Sequence, residues 1–90
     1  MRPLTTATPQ LEALRALNNA HAQELSFADA PRFAHLVAQA FFAWHIGTDA
    51  FIIAFDQNAD YDSENFLWFR ARFPRFVYVD RVVTGPQARG

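Results

Sequence analysis

The chain has 90 residues, no cysteine and a formal net charge of −1 at pH 7. A chain of this length forms at most one domain. The missing cysteines exclude disulfides and thiolate metal sites, and the near-neutral charge argues against a general binder of polyanions such as nucleic acid.

The N-terminus gives no sign of export or membrane insertion. Its first ten residues, MRPLTTATPQ, contain no apolar run, so no signal peptide is expected. No stretch approaches the ~20 apolar residues that a membrane span needs. We therefore expect a cytoplasmic protein without a membrane partner. The prolines and threonines of residues 1–10 predict a flexible segment, which leaves residues 11–90 as the single domain.

The next part of the chain shows helical spacing. Three leucines between Leu11 and Leu17 favour a helix, although so short a pattern leaves a strand open, and Asn18 is expected to end the element. A second helix is predicted from Ser26, which resembles the first residue of a capping box, to Gly47. The apolar face of this second helix consists of Phe33, Leu36, Val37, Ala40, Phe41 and Trp44.

The remaining chain alternates strand, helix and strand. FIIAFD, which ends at Asp56, is apolar on both faces and predicts a central strand. The helix ENFLWFRARF follows, capped by Asp62 or Ser63 and stopped by Pro74. Residues 76–84 predict a second strong strand. This order favours an α/β fold in which helices pack on a small mixed sheet.

The final strand and turn resemble a cofactor-binding loop. The segment YVDRVVTGPQARG is similar to the start of the acyl-coenzyme A loop of GNAT-type N-acyltransferases, where a strand leads through a short turn into Arg/Gln-x-x-Gly-x-Gly/Ala. Upstream, AFIIAFDQNADYDSENFLWFRARFPRFVYVDRVV and ALNNAHAQELSFADAPRFAHL are similar to one bacterial branch of that superfamily. The resemblance covers nearly all of residues 14–90 and corresponds to the N-terminal half of a GNAT fold.

This resemblance implies transfer of an acetyl group from acetyl-CoA to a primary amine of a small molecule or peptide, without a metal. Carried over, Val82, Val83 and Thr84 would supply backbone contacts to the pantetheine arm, and Arg89 and Gly90 would open the pyrophosphate cradle. Because residues 1–90 hold only the first two positions of that loop, we expect this N-terminal fragment alone to bind acetyl-CoA weakly or not at all and to be inactive.

Two carboxylates are candidates for the general base. The resemblance places the base near the cofactor strand, and Asp80 is the acid within that strand. Alternation along a strand predicts that Asp80 shares a face with Tyr78 and Val82, whereas Arg81 points the other way. Asp56 is the second candidate because it ends a buried strand, where sites of α/β proteins often lie.

An acidic cluster around Tyr61 suggests a place for the amine. Tyr61 and Glu64 are expected to belong to an anionic rim that recruits a cationic substrate. The same residue types also describe a solvated turn followed by a helix cap, which is the more ordinary interpretation of Asp60, Asp62 and Glu64.

Other chemistries find less support. His35 and His45, if they share one helix, lie ~15 Å apart and cannot bind one metal ion. Arginine and phenylalanine alternate through residues 69–76, a pattern that single-stranded nucleic acid would fit. The net charge of −1 favours core phenylalanines and solvated arginines instead, so no nucleic-acid partner is expected.

Self-association is the last expectation. Ten Phe, two Trp and two Tyr are more aromatic residues than a lone half-domain covers, so we expect a homodimer that pairs through residues 76–84 or exchanges an element. The alternative to an enzyme is a small non-enzymatic α/β module that dimerises or binds a small ligand.

Overall fold

The computed structural model describes residues 1–21 and 25–85. Within them the chain forms three helices and four strands. In chain order the elements are β1 (Arg2–Pro3), α1 (Leu11–Ala20), α2 (Ala30–Gln39), β2 (Phe42–Ile46), β3 (Ala50–Asp56), α3 (Glu64–Arg72) and β4 (Val77–Thr84). The α/β class is therefore confirmed.

The sheet is antiparallel throughout the described residues. Its strands lie in the order β1-β2-β3-β4, and each pair of neighbours runs in opposite directions. The prediction of a mixed sheet was therefore wrong. That prediction came from strand and helix alternation, which favours parallel crossovers, and it lacked β2, whose hairpin with β3 makes the pairing antiparallel.

The N-terminal segment contributes to the sheet. Arg2 pairs with His45 and Pro3 pairs with Trp44, while Leu4 is buried and its N–H donates to the Ala43 carbonyl at 2.9 Å. Composition alone predicted a flexible segment over residues 1–10. One buried leucine next to a strand edge is a packing contact that composition does not reveal.

The first helix forms where the leucines predict it, but it is longer. It continues through Asn18 and Asn19 to Ala20. Both asparagine side chains donate to carbonyls of the chain that follows, Ser26 and Ala28 respectively, instead of competing for the helix backbone. The interruption expected at Asn18 is therefore absent.

The second helix is much shorter than predicted. It begins after Asp29, whose carboxylate accepts from the Arg32 N–H at 2.8 Å, and it ends at Gln39. Residues 42–46 form β2, so the prediction of a helix up to Gly47 was wrong. Gly47, at φ 50°, lies in the tight turn from β2 to β3, where a positive φ favours glycine.

All three helices pack on one side of the sheet, which we call the inner face. The inner face is formed by Phe51, Ile53 and Phe55 of β3 together with Val83 of β4. The helices add Leu14 of α1, Phe33, Leu36 and Val37 of α2, and Phe66 of α3 to the same buried cluster. Burial of each large apolar side chain contributes about 1.5–3 kcal/mol.

The third helix is held at its start. The Ser63 hydroxyl accepts from the Phe66 N–H at 3.1 Å, so of the two predicted caps Ser63 is confirmed. Phe66 is buried, whereas Phe69 and Phe73 are partly exposed. No helix among the described residues has both the length and the apolar character needed to cross a bilayer.

Candidate functional site

A polar cleft of about 430 Å³ opens between the start of α3 and the middle of β4. Three residues predicted for function, Tyr61, Glu64 and Asp80, line it together. The other lining residues are Leu25, Ser26, Ser63, Asn65, Tyr78 and Arg81. We call this feature the Asp80 cleft.

A β-bulge brings the consecutive residues Asp80 and Arg81 to the same side of β4. Ile53 and Ala54, consecutive residues of β3, pair with Arg81 and Val79 of β4, so Asp80 is an extra residue without a partner across the ladder. A bulge of this kind bends its strand and redirects side chains. Asp80 shares the cleft with Tyr78, as the alternation predicts. Val82, however, is exposed on the other side of the sheet and the Arg81 side chain is buried on the inner side, so the prediction was wrong for these two residues.

Both oxygens of the Asp80 carboxylate accept hydrogen bonds. The Tyr61 hydroxyl donates to Oδ1 at 2.6 Å, and the Arg81 guanidinium donates from Nε to Oδ2 at 2.8 Å. The side chains of Asp80 and Arg81 are only 7% and 3% exposed, so this is a buried ion pair between sequence neighbours. Such short contacts to a charged acceptor are the strong class of hydrogen bond.

Arg81 is anchored on its other side by the segment that joins α1 and α2. Its Nη1 donates to Asn18 Oδ1 at 2.7 Å and to the Ser26 carbonyl at 2.8 Å. Asn18 is fully buried and its amide also donates to that carbonyl. The guanidinium thus ties β4 to the helical layer and fixes the position of Asp80.

Sequence reasoning missed Arg81 and Asn18 as site residues. A regular strand places adjacent residues on opposite faces, so Asp80 and Arg81 were not expected to pair. The available signal was the Asp-Arg pair itself, because two charges inside the apolar run VYVDRVVT rarely become buried unless they neutralise each other.

Tyr61 is set by aromatic packing. Its ring centroid lies 4.5 Å from that of Phe55 and 5.5 Å from that of Phe66. Burial, followed by the hydrogen bond and charge of Asp80, raises the pKa of Tyr61 to about 12. The phenol therefore stays protonated at neutral pH and acts as a donor to Asp80.

The loop that carries Tyr61 is restrained on both sides. Arg32 Nη2 donates to Asp62 Oδ1 at 3.0 Å, and the Asp60 N–H donates to Gln39 Oε1 at 2.8 Å. Immediately after the loop, Glu64 occupies the first turn of α3 and is exposed at the cleft mouth. The charge of Asp80 is neutralised by Arg81. The negative charge at the cleft mouth therefore comes from the exposed carboxylate of Glu64.

Asp56 lies elsewhere. Its carboxylate accepts from the Asn58 N–H at 2.9 Å in the turn after β3, and it lines a separate cleft with Arg75 and Phe76. The structure therefore does not bring the two predicted catalytic carboxylates together.

The predicted cofactor residues fall into two groups. Val82, Val83 and Thr84 form the end of β4, with Val83 buried in the core and Val82 exposed on the opposite side of the sheet. Arg89 and Gly90 lie outside the described residues, so the predicted pyrophosphate cradle stays a prediction. Within residues 1–21 and 25–85, no group of three or more His, Cys, Asp or Glu side chains is placed to hold a metal ion.

Comparisons with known proteins found no relative. No protein-family model, curated protein or solved structure matches this chain. The fold and the site define the chain as a small α/β protein. Its described part is a four-stranded antiparallel sheet with helices on one face and a polar cleft at the bulge of an edge strand.

Proposed function

We propose that this protein is an N-acyltransferase of the GNAT type that binds a cationic amine in the Asp80 cleft. One observation carries the proposal. Asp80 was expected as a base and Tyr61 and Glu64 as substrate contacts, each from the sequence, and all three line one opening. The location we assign to it is the cytoplasm, with which a cysteine-free chain is compatible.

The chemistry requires a base and an acidic entrance. A protonated amine is attracted by Glu64 at the mouth, and it becomes a nucleophile when it loses a proton to Asp80, directly or through water. Each carboxylate oxygen has more than one lone pair, so Asp80 keeps acceptor capacity beside its bonds to Tyr61 and Arg81. The neutral amine nitrogen then bonds to the acyl carbon, the carbon–sulfur bond breaks, and the departing thiolate takes up the proton that the nitrogen loses as the amide forms, so coenzyme A leaves as the thiol.

The end of β4 would hold acetyl-CoA. Residues 82–84 follow the bulge directly and lie at the edge of the described sheet, with β3 on one side. The buried side chain of Val83 anchors this backbone to the core. A thioester bound along these residues would lie within a few residues of Asp80, next to the amine.

NMR titration of the 90-residue chain tests the proposal, because chemical shifts detect binding even when the dissociation constant is millimolar. Acetyl-CoA should shift the backbone amides of Val82 and Val83. Propylamine should shift those of Tyr61 and Glu64, whereas propanol, which has a similar size and no charge, should not. Glu64→Gln should weaken the propylamine response several-fold, and Glu12→Gln, an exposed acid on α1, should leave it unchanged.

The outcomes separate two functions. If propylamine binds at the cleft and acetyl-CoA at millimolar concentration shifts no residue of β4, residues 1–90 by themselves act as the alternative, an α/β module that binds a small cationic ligand. If propanol and propylamine give equal shifts, the acidic cleft has no preference for amines and the acyltransferase proposal fails.

A further inference from the structure

The side of the sheet opposite the helices is an apolar surface, which we call the outer face. Its side chains form three cross-strand rows that the strand register defines. The rows are Phe42–Ala54–Val79, Trp44–Ile52–Val82 and Ile46–Ala50–Thr84, and Val77 extends them at the start of β4. These residues carry no charge, but Asp56, the register partner of Val77, is a charged residue at the border of the face.

The outer face is exposed on β2 and β4. Val82 is 60% exposed, Val79 53% and Ile46 51%, whereas the small side chains of Ala50 and Ala54 between them are buried. With Phe42, Val77 and the half-buried Trp44 and Ile52, the face presents roughly 500 Å² of apolar surface, near the top of the range for a typical monomer. An apolar patch of this size is often functional, which makes the face a candidate interface.

We propose that the outer face binds the outer face of a second copy of this chain. The inference does not depend on the acyltransferase proposal. Two such faces pack as a β-sandwich about 10 Å apart and together bury about 1,000 Å², where specific interfaces begin. At its centre the face is uncharged, so two copies meet there without opposing like charges, and Asp56 lies at the border.

The sizes of the side chains select the symmetry. Phe42, Trp44 and Ile46 on β2 are large, Ala50 and Ala54 on β3 are small, and the β4 side carries valines. A two-fold axis that runs along the strands above β3 places β2 of one copy over β4 of the other. Trp44 of each copy then contacts Val82 of its partner, so large side chains meet small ones and the contact is self-complementary.

The free edge of the sheet is a poorer place to associate. Pairing through β4 was the arrangement expected from the sequence, but the bulge at Asp80 bends that strand. Bulges of this kind twist an edge away from continued ladder pairing. The geometry therefore favours contact between faces over contact between edges.

The experiment combines sedimentation with two matched variants of the 90-residue chain. We expect wild type to pass from monomer to dimer between micromolar and millimolar concentration. Val82→Asp places a charge opposite Trp44 of the partner and should raise the dimer dissociation constant at least about a hundredfold. Phe27→Asp removes a comparably exposed apolar side chain, 65% exposed, that lies outside the sheet, and it should leave the dissociation constant unchanged.

A second measurement does not depend on the fold of a variant. In a mixture of isotope-labelled and unlabelled wild-type chains, NOEs between protomers should connect the Trp44 ring with the Val82 methyl groups. A wild-type protein that stays monomeric at millimolar concentration would overturn the proposal, and the face would then need another occupant. NOEs that connect β4 backbones across protomers, with a dimer that Val82→Asp does not weaken, would overturn it in favour of edge pairing.

Discussion

At the scale of single residues, Tyr61 gives the Asp80 cleft a measurable signature. Its pKa is raised from the ordinary value of 10 to about 12, so the folded state holds the proton more tightly than the unfolded state. The stabilisation is fully present below pH 10 and is lost as the pH rises from 10 towards 12. The pKa difference corresponds to roughly 2–3 kcal/mol.

A pH titration of tyrosinate absorbance in the Tyr78→Phe variant measures the pKa of Tyr61. The chain has two tyrosines, so Tyr61 is the one that remains. We expect a midpoint near pH 12. Asp80→Asn should move the midpoint down towards 10, because it removes the negative charge that opposes ionisation of the phenol. A midpoint near 10 in the Tyr78→Phe protein itself would contradict the buried contact with Asp80.

Arg81 is the residue whose loss should cost most stability. Arg81→Met leaves the Asp80 carboxylate buried without its partner and removes the donor to Asn18 and the Ser26 carbonyl. We expect the free energy of unfolding in denaturant to fall by about 3–5 kcal/mol. Arg32→Met, which breaks a more exposed ion pair with Asp62, should cost about 0–1 kcal/mol. Equal effects would show that the Asp80–Arg81 pair is solvated.

At the scale of elements, the start of α2 distinguishes two capping residues. The sequence predicts Ser26 as the cap, whereas in the structure Asp29 accepts from the Arg32 N–H. Asp29→Ala should therefore destabilise the protein by about 1 kcal/mol. Ser26→Ala keeps the carbonyl that Arg81 and Asn18 use and should change the stability little. Denaturant unfolding of both variants decides between them, and the reverse order of costs would support the predicted capping box.

The elements also show how far the sequence predicts this fold. Three elements were predicted within about one residue: the strand at residues 50–56, the helix after Ser63 and the final strand. Each shows a clear pattern of apolar residues that is bounded by residues which end a helix or a strand. The strand β2 was missed because Phe41 and Trp44 continue the helical spacing of Phe33 and Val37. The change from helix to strand at Ala40 depends on pairing with β3. This is a tertiary contact, and the local spacing of apolar residues carries no information about it.

The sequence predicted which residues form the candidate site, but it did not predict how they are arranged. Asp80, Tyr61 and Glu64 were selected because acids and a tyrosine near a presumed cofactor strand suit amine chemistry. The pairing of Asp80 with Arg81 depends on a bulge, and a bulge breaks the alternation on which strand predictions rest. Arg81 was assigned to the wrong face for the same reason.

At the scale of the whole molecule, we expect one cooperative unfolding transition. Each helix is tied to the sheet through a different contact. Phe33 of α2 meets Phe51 edge-to-face at 5.6 Å, Phe66 of α3 meets Phe55 at 6.1 Å, and Arg81 bonds to Asn18 of α1. Because these contacts share one core, loss of any helix exposes the same inner face, and partly unfolded states are unfavourable.

The two tryptophans report on separate elements and test this cooperativity. Trp44 lies on β2, and Trp68 lies on α3 with the Arg72 guanidinium 4.1 Å from its ring. In Trp44→Phe and in Trp68→Phe, the remaining fluorescence and the far-ultraviolet circular dichroism should give coincident denaturant transitions. Low concentration keeps self-association from shifting the midpoint. If the Trp68 signal changes at lower denaturant than the circular dichroism, α3 unfolds separately, since Phe66 is its one buried side chain and would then be too weak an anchor.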